Sequence, residues 1–294
     1  MKSTKDVFTG CATALVTPFT EKGIDYDSYG KLIDWQIEKG ANALVVLGTT
    51  GESATIDEFE RIELISYAKE RISGRVPLIV GSGSNSTKRT QNFTYGAENC
   101  GADAILVVTP YYNKASINGL IQHYKAVAES TALPVILYNV PSRTGLDMGT
   151  PTLEGLYDVK NIVAVKEASG NVVRAERILK EFGDRYTVYS GCDELILPIL
   201  SLGGKGVISA VSNIAPKEIS TLCGEFFKGN IKESQKIQLS LYDLIDEMFA
   251  EVNPIPIKTA LALMGKCKDI FRLPMCESTR KDKIREMLTR YKLI

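Results

Sequence analysis

Short apolar runs recur along the chain, at residues 11–19, 43–48, 77–83, 102–110, 134–140, 162–169, 187–193 and 206–213. Their near-continuous Val, Ile and Leu character suits strands covered on both faces, the condition of a parallel sheet. Between them lie stretches of helical period, such as 27–40 and 56–70, with Asp27 and Asp57 at N-cap positions and Gly40 at a C-cap position. Eight strand–helix alternations without a linker predict an α/β fold, the (β/α)8 TIM barrel; an open doubly wound sheet is the alternative. After about residue 214 helix-like segments follow one another without strands. The expected division is a catalytic barrel at 1–214 and a C-terminal helical region at 215–294.

A barrel places its chemistry at the C-terminal ends of its strands. The sixth run reads IVAVKEA, and Lys166 inside it is the least expected residue of the sequence. With a side-chain period of two, Ile162, Ala164, Lys166 and Ala168 share one face, and the alanines leave room beside the lysine. Burying an ammonium group is costly unless it is paired or gives up its proton. Lys166 is therefore either an amine nucleophile for carbonyls or the partner of a carboxylate such as Glu167 or Asp193.

Three other strand ends carry polar chemistry. The second ends in Gly48-Thr49-Thr50-Gly51-Glu52-Ser53, whose backbone N–H groups can converge on a small anion. Taken alone, a plain glycine-rich turn is the better explanation. The fifth continues into Tyr138 and the loop residue Arg143: a phenol able to move protons and a planar fork for a carboxylate. A packing tyrosine and a solvated arginine remain open. The fourth ends at Tyr111 and Tyr112, which are also good interface anchors. Residues 81–86 lack the third glycine of a dinucleotide fingerprint, and 203–206 read as a turn at the opposite end of the barrel.

Composition narrows the chemistry. The chain has 294 residues with 35 basic and 35 acidic side chains, a net charge of zero that argues against a nucleic-acid partner. No apolar run is long enough for a membrane span, and the first ten residues lack a leader's apolar core. Six scattered cysteines without a CxxC pair suit reduced thiols in a cytoplasm and make a metal role improbable. The one histidine, His123, reads as a helix-surface or interface residue, so proton chemistry falls to Lys, Tyr, Asp, Glu or Cys.

Together GTTGES (48–53), PYYNK (110–114), YNVPSRTG (138–145), VKEAS (165–169), GVIS (206–209) and NPIPIK (253–258) resemble the dihydrodipicolinate synthase family over essentially the whole chain. That family sits among the pyruvate-dependent class I aldolases, with N-acetylneuraminate lyase and the keto-deoxy sugar-acid aldolases. Thr49-Thr50 and Arg143 favour the synthases over these siblings, which stay the alternative. A catalytically silent barrel would be expected to lack Lys166 or Tyr138, and both are present.

The resemblance implies condensation of pyruvate with L-aspartate 4-semialdehyde through a Schiff base on Lys166, giving 4-hydroxy-tetrahydrodipicolinate for lysine and diaminopimelate biosynthesis. Tyr138 would relay protons through Thr50 to Tyr112, which would reach in from a neighbouring subunit. Thr49 and Thr50 would hold the pyruvate carboxylate and Arg143 the semialdehyde carboxylate, with Gly191 and Ile208 as backbone positions near the lysine. Neither metal nor organic cofactor is implied, because the iminium nitrogen is itself the electron sink. A homotetramer built as a dimer of dimers is implied, with Tyr111 and Tyr112 at the tight interface.

One region departs from the family pattern. Lysine-inhibited synthases usually carry two His and a Glu at the positions that here are Glu58, Arg61 and Arg89, whereas Ser53, Ala54, Asn85 and Tyr111 are of the expected kinds. Arg89 repels the effector's ammonium group where Glu would attract it, so L-lysine inhibition is expected to be weak or absent. Ala115, where many relatives have Pro, carries no functional weight.

Overall fold

The structure, a computed structural model, describes residues 6–294. The expectation of no leader falls partly on residues 1–5, which lie outside the described residues. The barrel strands are β1 (Gly10–Ala14), β2 (Ala43–Val46), β3 (Leu78–Gly81) and β4 (Ala104–Val108). They continue with β5 (Val135–Asn139), β6 (Ile162–Glu167), β7 (Thr187–Ser190) and β8 (Gly206–Ser209). Every neighbouring pair is parallel and β8 pairs back onto β1, so the sheet closes as a TIM barrel rather than an open doubly wound sheet. Each strand overlaps one expected apolar run. A small antiparallel hairpin, Phe19–Thr20 with Gly23–Ile24, was not foreseen, its strands being too short to show a pattern.

Alternation along the strands sorts the core into two parts. Ala12, Val45, Ile79, Leu106, Ile136 and Tyr189 fill the barrel interior, whereas Cys11, Leu44, Val80, Ile105, Leu137 and Val188 pack outward under the helices. Phe8 stacks on Tyr189 with ring centres 4.2 Å apart, and the phenol donates to the Phe8 carbonyl at 2.8 Å, closing the floor.

Strand β6 departs from the expected period. Ile136 pairs with Ala164, but the preceding Val135 pairs with Ile162, so two residues of β6 oppose one step of β5. This bulge turns Ile162 outward into the helix-facing core, while Ala164 stays in the barrel interior. The shared face therefore begins at Ala164, two residues later than strict alternation implies.

Three helices matter for the site. Helix α1 (Tyr26–Glu38) is capped by Asp25, whose carboxylate accepts from the Ser28 N–H; Asp27 falls one step inside, in the first turn. Gly40, at φ 97°, follows the Lys39 cap. Helix α2 (Glu58–Ile72) starts at Asp57 as expected, with a reciprocal capping box to Glu60. Helix α3 (Thr87–Asn99) is capped by Ser86. No helix of the described residues is long and apolar enough to cross a membrane.

The chain after β8 returns to the barrel. Helix Pro216–Phe227 packs against β1. Helix Ile255–Leu263 carries Lys258, whose Nζ lies 2.6 Å from Glu52 Oε1 with both side chains buried. The ammonium also sits 4.0 Å from the centre of the Phe19 ring. Arg272 donates through its backbone to Glu52 and through its guanidinium to Glu60, so the C-terminal segment is tied to the loop after β2.

His123 corrects an expectation. Leu120, His123, Tyr124 and Val127 form the inward stripe of helix Ile117–Glu129, and His123 is only 5% exposed. Its Nδ1 lies 2.9 Å from the Thr87 hydroxyl, and burial pushes its pKa down to about 4.

Removing one member of a buried ion pair strands the other charge, so Lys258→Met is expected to cost about 3–5 kcal/mol in urea unfolding. A loss no larger than that of an exposed substitution would contradict the pairing. His123 binds its proton more weakly folded than unfolded, so its contribution is full above pH ~6.5 and is lost as pH falls towards 4. His123→Gln should flatten that part of the pH–stability curve.

Candidate active site

A cavity of about 230 Å³ opens at the C-terminal ends of the strands, where the barrel reading put the chemistry. Lys166, Tyr138, Thr49, Thr50, Arg143, Gly191 and Ile208 all line it. Residues from β5, β6 and β8 thus meet those of the loops after β2, β5 and β7.

Lys166 is 6% exposed, and its Nζ stands 4.2 Å from the centre of the Tyr138 ring. Sheet register sets this pair, because Tyr138 and Lys166 are direct partners on β5 and β6. The two carboxylates that could have neutralised the lysine are engaged elsewhere. Glu167 accepts from Asn139 and from the Ser169 N–H, and Asp193 accepts from Ser209 and the N–H groups of Ala210 and Val211. Burial pushes Asp193 up to about 6 and raises Glu167. Among the described residues no carboxylate pairs with Lys166.

Small residues make room for the amine. A Cβ on Gly191 would stand 2.5 Å from the Ala168 methyl and 2.9 Å from Lys166 Cε, closer than real side chains approach. Glycine at 191 therefore leaves the lysine its path into the cavity. Cys192 is the other nucleophile on the wall, but burial pushes its thiol up to about 12, so it stays protonated at neutral pH. That leaves the amine as the group able to attack a carbonyl.

The loop after β2 turns tightly: the Gly51 N–H donates to the Gly48 carbonyl at 3.1 Å and that of Glu52 to Thr49 at 3.0 Å. Leu47 and Glu52 have positive φ, 55° and 53°, a conformation uncommon for non-glycine residues. The buried Glu52–Lys258 pair holds the turn there. Thr50 is buried, and its Oγ1 accepts from Asn253 Nδ2 at 3.0 Å. Asn253 also accepts through its carbonyl from Arg143 at 2.8 Å, while its own Oδ1 is buried without a hydrogen-bond partner.

Asn253 is thus the site residue that reading strand ends missed. It belongs to the NPIPIK motif, but it lies on the helical region rather than after a strand. A polar residue before two prolines in an apolar segment was the available signal. Tyr112 does not join the cavity: it is 88% exposed at φ 72°, and Tyr111 lines a neighbouring cavity instead.

The chain matches the model of the dihydrodipicolinate synthetase family over residues 7–290. It is 47% identical to the 4-hydroxy-tetrahydrodipicolinate synthase of Acetivibrio thermocellus, covering 95% of this chain and 94% of that protein. With the synthase of Geobacter sulfurreducens it shares 44% identity over 98% of this chain and all of the other. The crystal structure of dihydrodipicolinate synthase from Thermotoga maritima matches with a TM-score of 0.96 at 42% identity, covering 98% of this chain and 100% of that one. A closed barrel with a lysine at the end of its sixth strand, matched end to end by these relatives, makes the chain a member of the dihydrodipicolinate synthetase family.

Proposed function

We propose that the chain condenses pyruvate with L-aspartate 4-semialdehyde to give 4-hydroxy-tetrahydrodipicolinate in lysine and diaminopimelate biosynthesis. The observation that carries this reading is an unpaired, buried amine facing a phenol in a cavity sized for a small keto acid. The sibling aldolases are not favoured, since relatives between 44 and 47% identical carry the synthase name.

The chemistry follows from the residues. The Lys166 amine adds to the pyruvate carbonyl, and loss of water leaves an iminium. That nitrogen accepts the electron pair released when a methyl C–H gives up its proton, forming an enamine. The enamine carbon attacks the aldehyde of the second substrate, whose oxygen takes a proton. The product's own amine then attacks the imine carbon and displaces Lys166, closing the ring. Tyr138 is suited to carry these protons because its oxygen both donates and accepts. Thr49 and Thr50 serve the pyruvate carboxylate, and Arg143 the carboxylate of the semialdehyde.

Assembly belongs to the same proposal. Tyr112, exposed in the single chain, would complete the relay of a neighbouring copy, with Tyr111 beside it at the tight interface of a tetramer. Residues 215–294 act as the barrel's helical support, contributing Asn253 and Lys258 to the loops that 1–214 supplies. A cytoplasmic location suits the six free cysteines.

Borohydride reduction with pyruvate should fix a stable adduct on the peptide containing Lys166; an adduct elsewhere, or none, would sink the reading. Lys166→Ala should abolish trapping, whereas Tyr138→Phe should keep trapping but slow turnover by roughly 10²–10⁴-fold. Arg89 opposes a second ammonium group, so titration with L-lysine should give no micromolar binding, and tight saturable heat would refute that.

A further inference from the structure

Glu194 is the one carboxylate lining the active-site cavity; the other charged groups there, Lys166 and Arg143, are cations. It stands on a short helical turn after β7, Asp193–Leu195, and is exposed. Among the described residues it makes no ion pair. Its charge is felt along the cavity wall: burial first, and Glu194 next, push the Cys192 thiol up to about 12.

A free carboxylate is out of place in a mouth that must draw in two carboxylate substrates, because it repels both. A residue that breaks a local rule without compensation points to a function. Only the second substrate carries a group that repays it, an ammonium on the same carbon as its carboxylate. The surroundings fit that pairing. Arg143 donates to the Asn253 carbonyl at 2.8 Å, so a ligand whose carboxylate meets Arg143 carries its neighbouring substituent close to Asn253. Asn253 Oδ1 is a buried acceptor without a donor. The Asp193–Leu195 turn packs against helix Tyr242–Met248, and the chain leaving that helix brings Phe249 and Asn253 to the same cavity.

We propose that Glu194, together with Asn253 Oδ1, receives the ammonium group of the second substrate and makes the site selective for an amino-acid aldehyde. This rests on the condensation proposed above. Arg143 and Glu194 then read the two charges of one carbon, while Lys166 holds the pyruvate-derived partner. An aldehyde of the same length without the amine, succinic semialdehyde, leaves Asn253 Oδ1 unsatisfied and sets its own carboxylate against Glu194 uncompensated. A site built to hydrogen-bond a group disfavours the analogue that lacks it.

The test is steady-state kinetics of the full chain and of Glu194→Gln, a change that keeps the shape and removes the charge. The KM for L-aspartate 4-semialdehyde should rise about tenfold or more, the loss of one charged hydrogen bond, while the KM for pyruvate stays within about twofold. Succinic semialdehyde, added as a competitor, should inhibit the variant at least as strongly as the unaltered chain, since it has no ammonium to lose. An unmoved semialdehyde KM, an equal rise for both substrates, or a parallel weakening of the competitor would overturn the proposal. An unaltered chain that consumes no semialdehyde would overturn the condensation and this proposal together, whereas an active chain with an unmoved KM overturns this one alone.

Discussion

A lysine held inside the barrel without a carboxylate is the constraint around which the mouth is organised. Among the described residues two lysines are buried, and they are treated in opposite ways. Lys258 receives Glu52 at 2.6 Å and an aromatic face, the usual means of making a buried ammonium tolerable. Lys166 receives only the face of Tyr138, while Glu167 and Asp193 are drawn off by amides, hydroxyls and backbone N–H groups. Keeping those acids away requires the Asn139 and Ser209 contacts, and giving the amine space requires a missing side chain at 191.

The C-terminal region does more than cover the barrel. Its paired lysine stabilises a turn with two residues at positive φ, and that turn presents Thr49 and Thr50. Its Asn253 joins Thr50 to Arg143 through one side chain and one carbonyl. Strand ends alone would leave these groups on a loose loop; the long-range bonds give them fixed positions.

The barrel was legible because eight doubly covered strands write themselves as apolar runs, and because a lysine in such a run stands out. Residue-level detail was less visible. The bulge that turns Ile162 outward arises from pairing with β5, which no period within β6 reveals. His123 looked like a surface residue because it is polar, although its spacing from Leu120, Tyr124 and Val127 already put it on the inward stripe. Asp25 displaced Asp27 as the cap by two residues, the scale on which helix ends are least determined by sequence. Asn253 was hidden for a different reason: its partners Thr50 and Arg143 lie 203 and 110 positions away in the chain.

The bond between Asn253 and Thr50 also has a sense of direction. An amide N–H can only donate, so the Thr50 oxygen spends a lone pair on Asn253 and its hydroxyl hydrogen must point elsewhere. A free hydroxyl could turn either way with each proton that passes. This one is biased before any substrate arrives, like a valve seated on one side, and its hydrogen is presented to whichever acceptor enters the mouth.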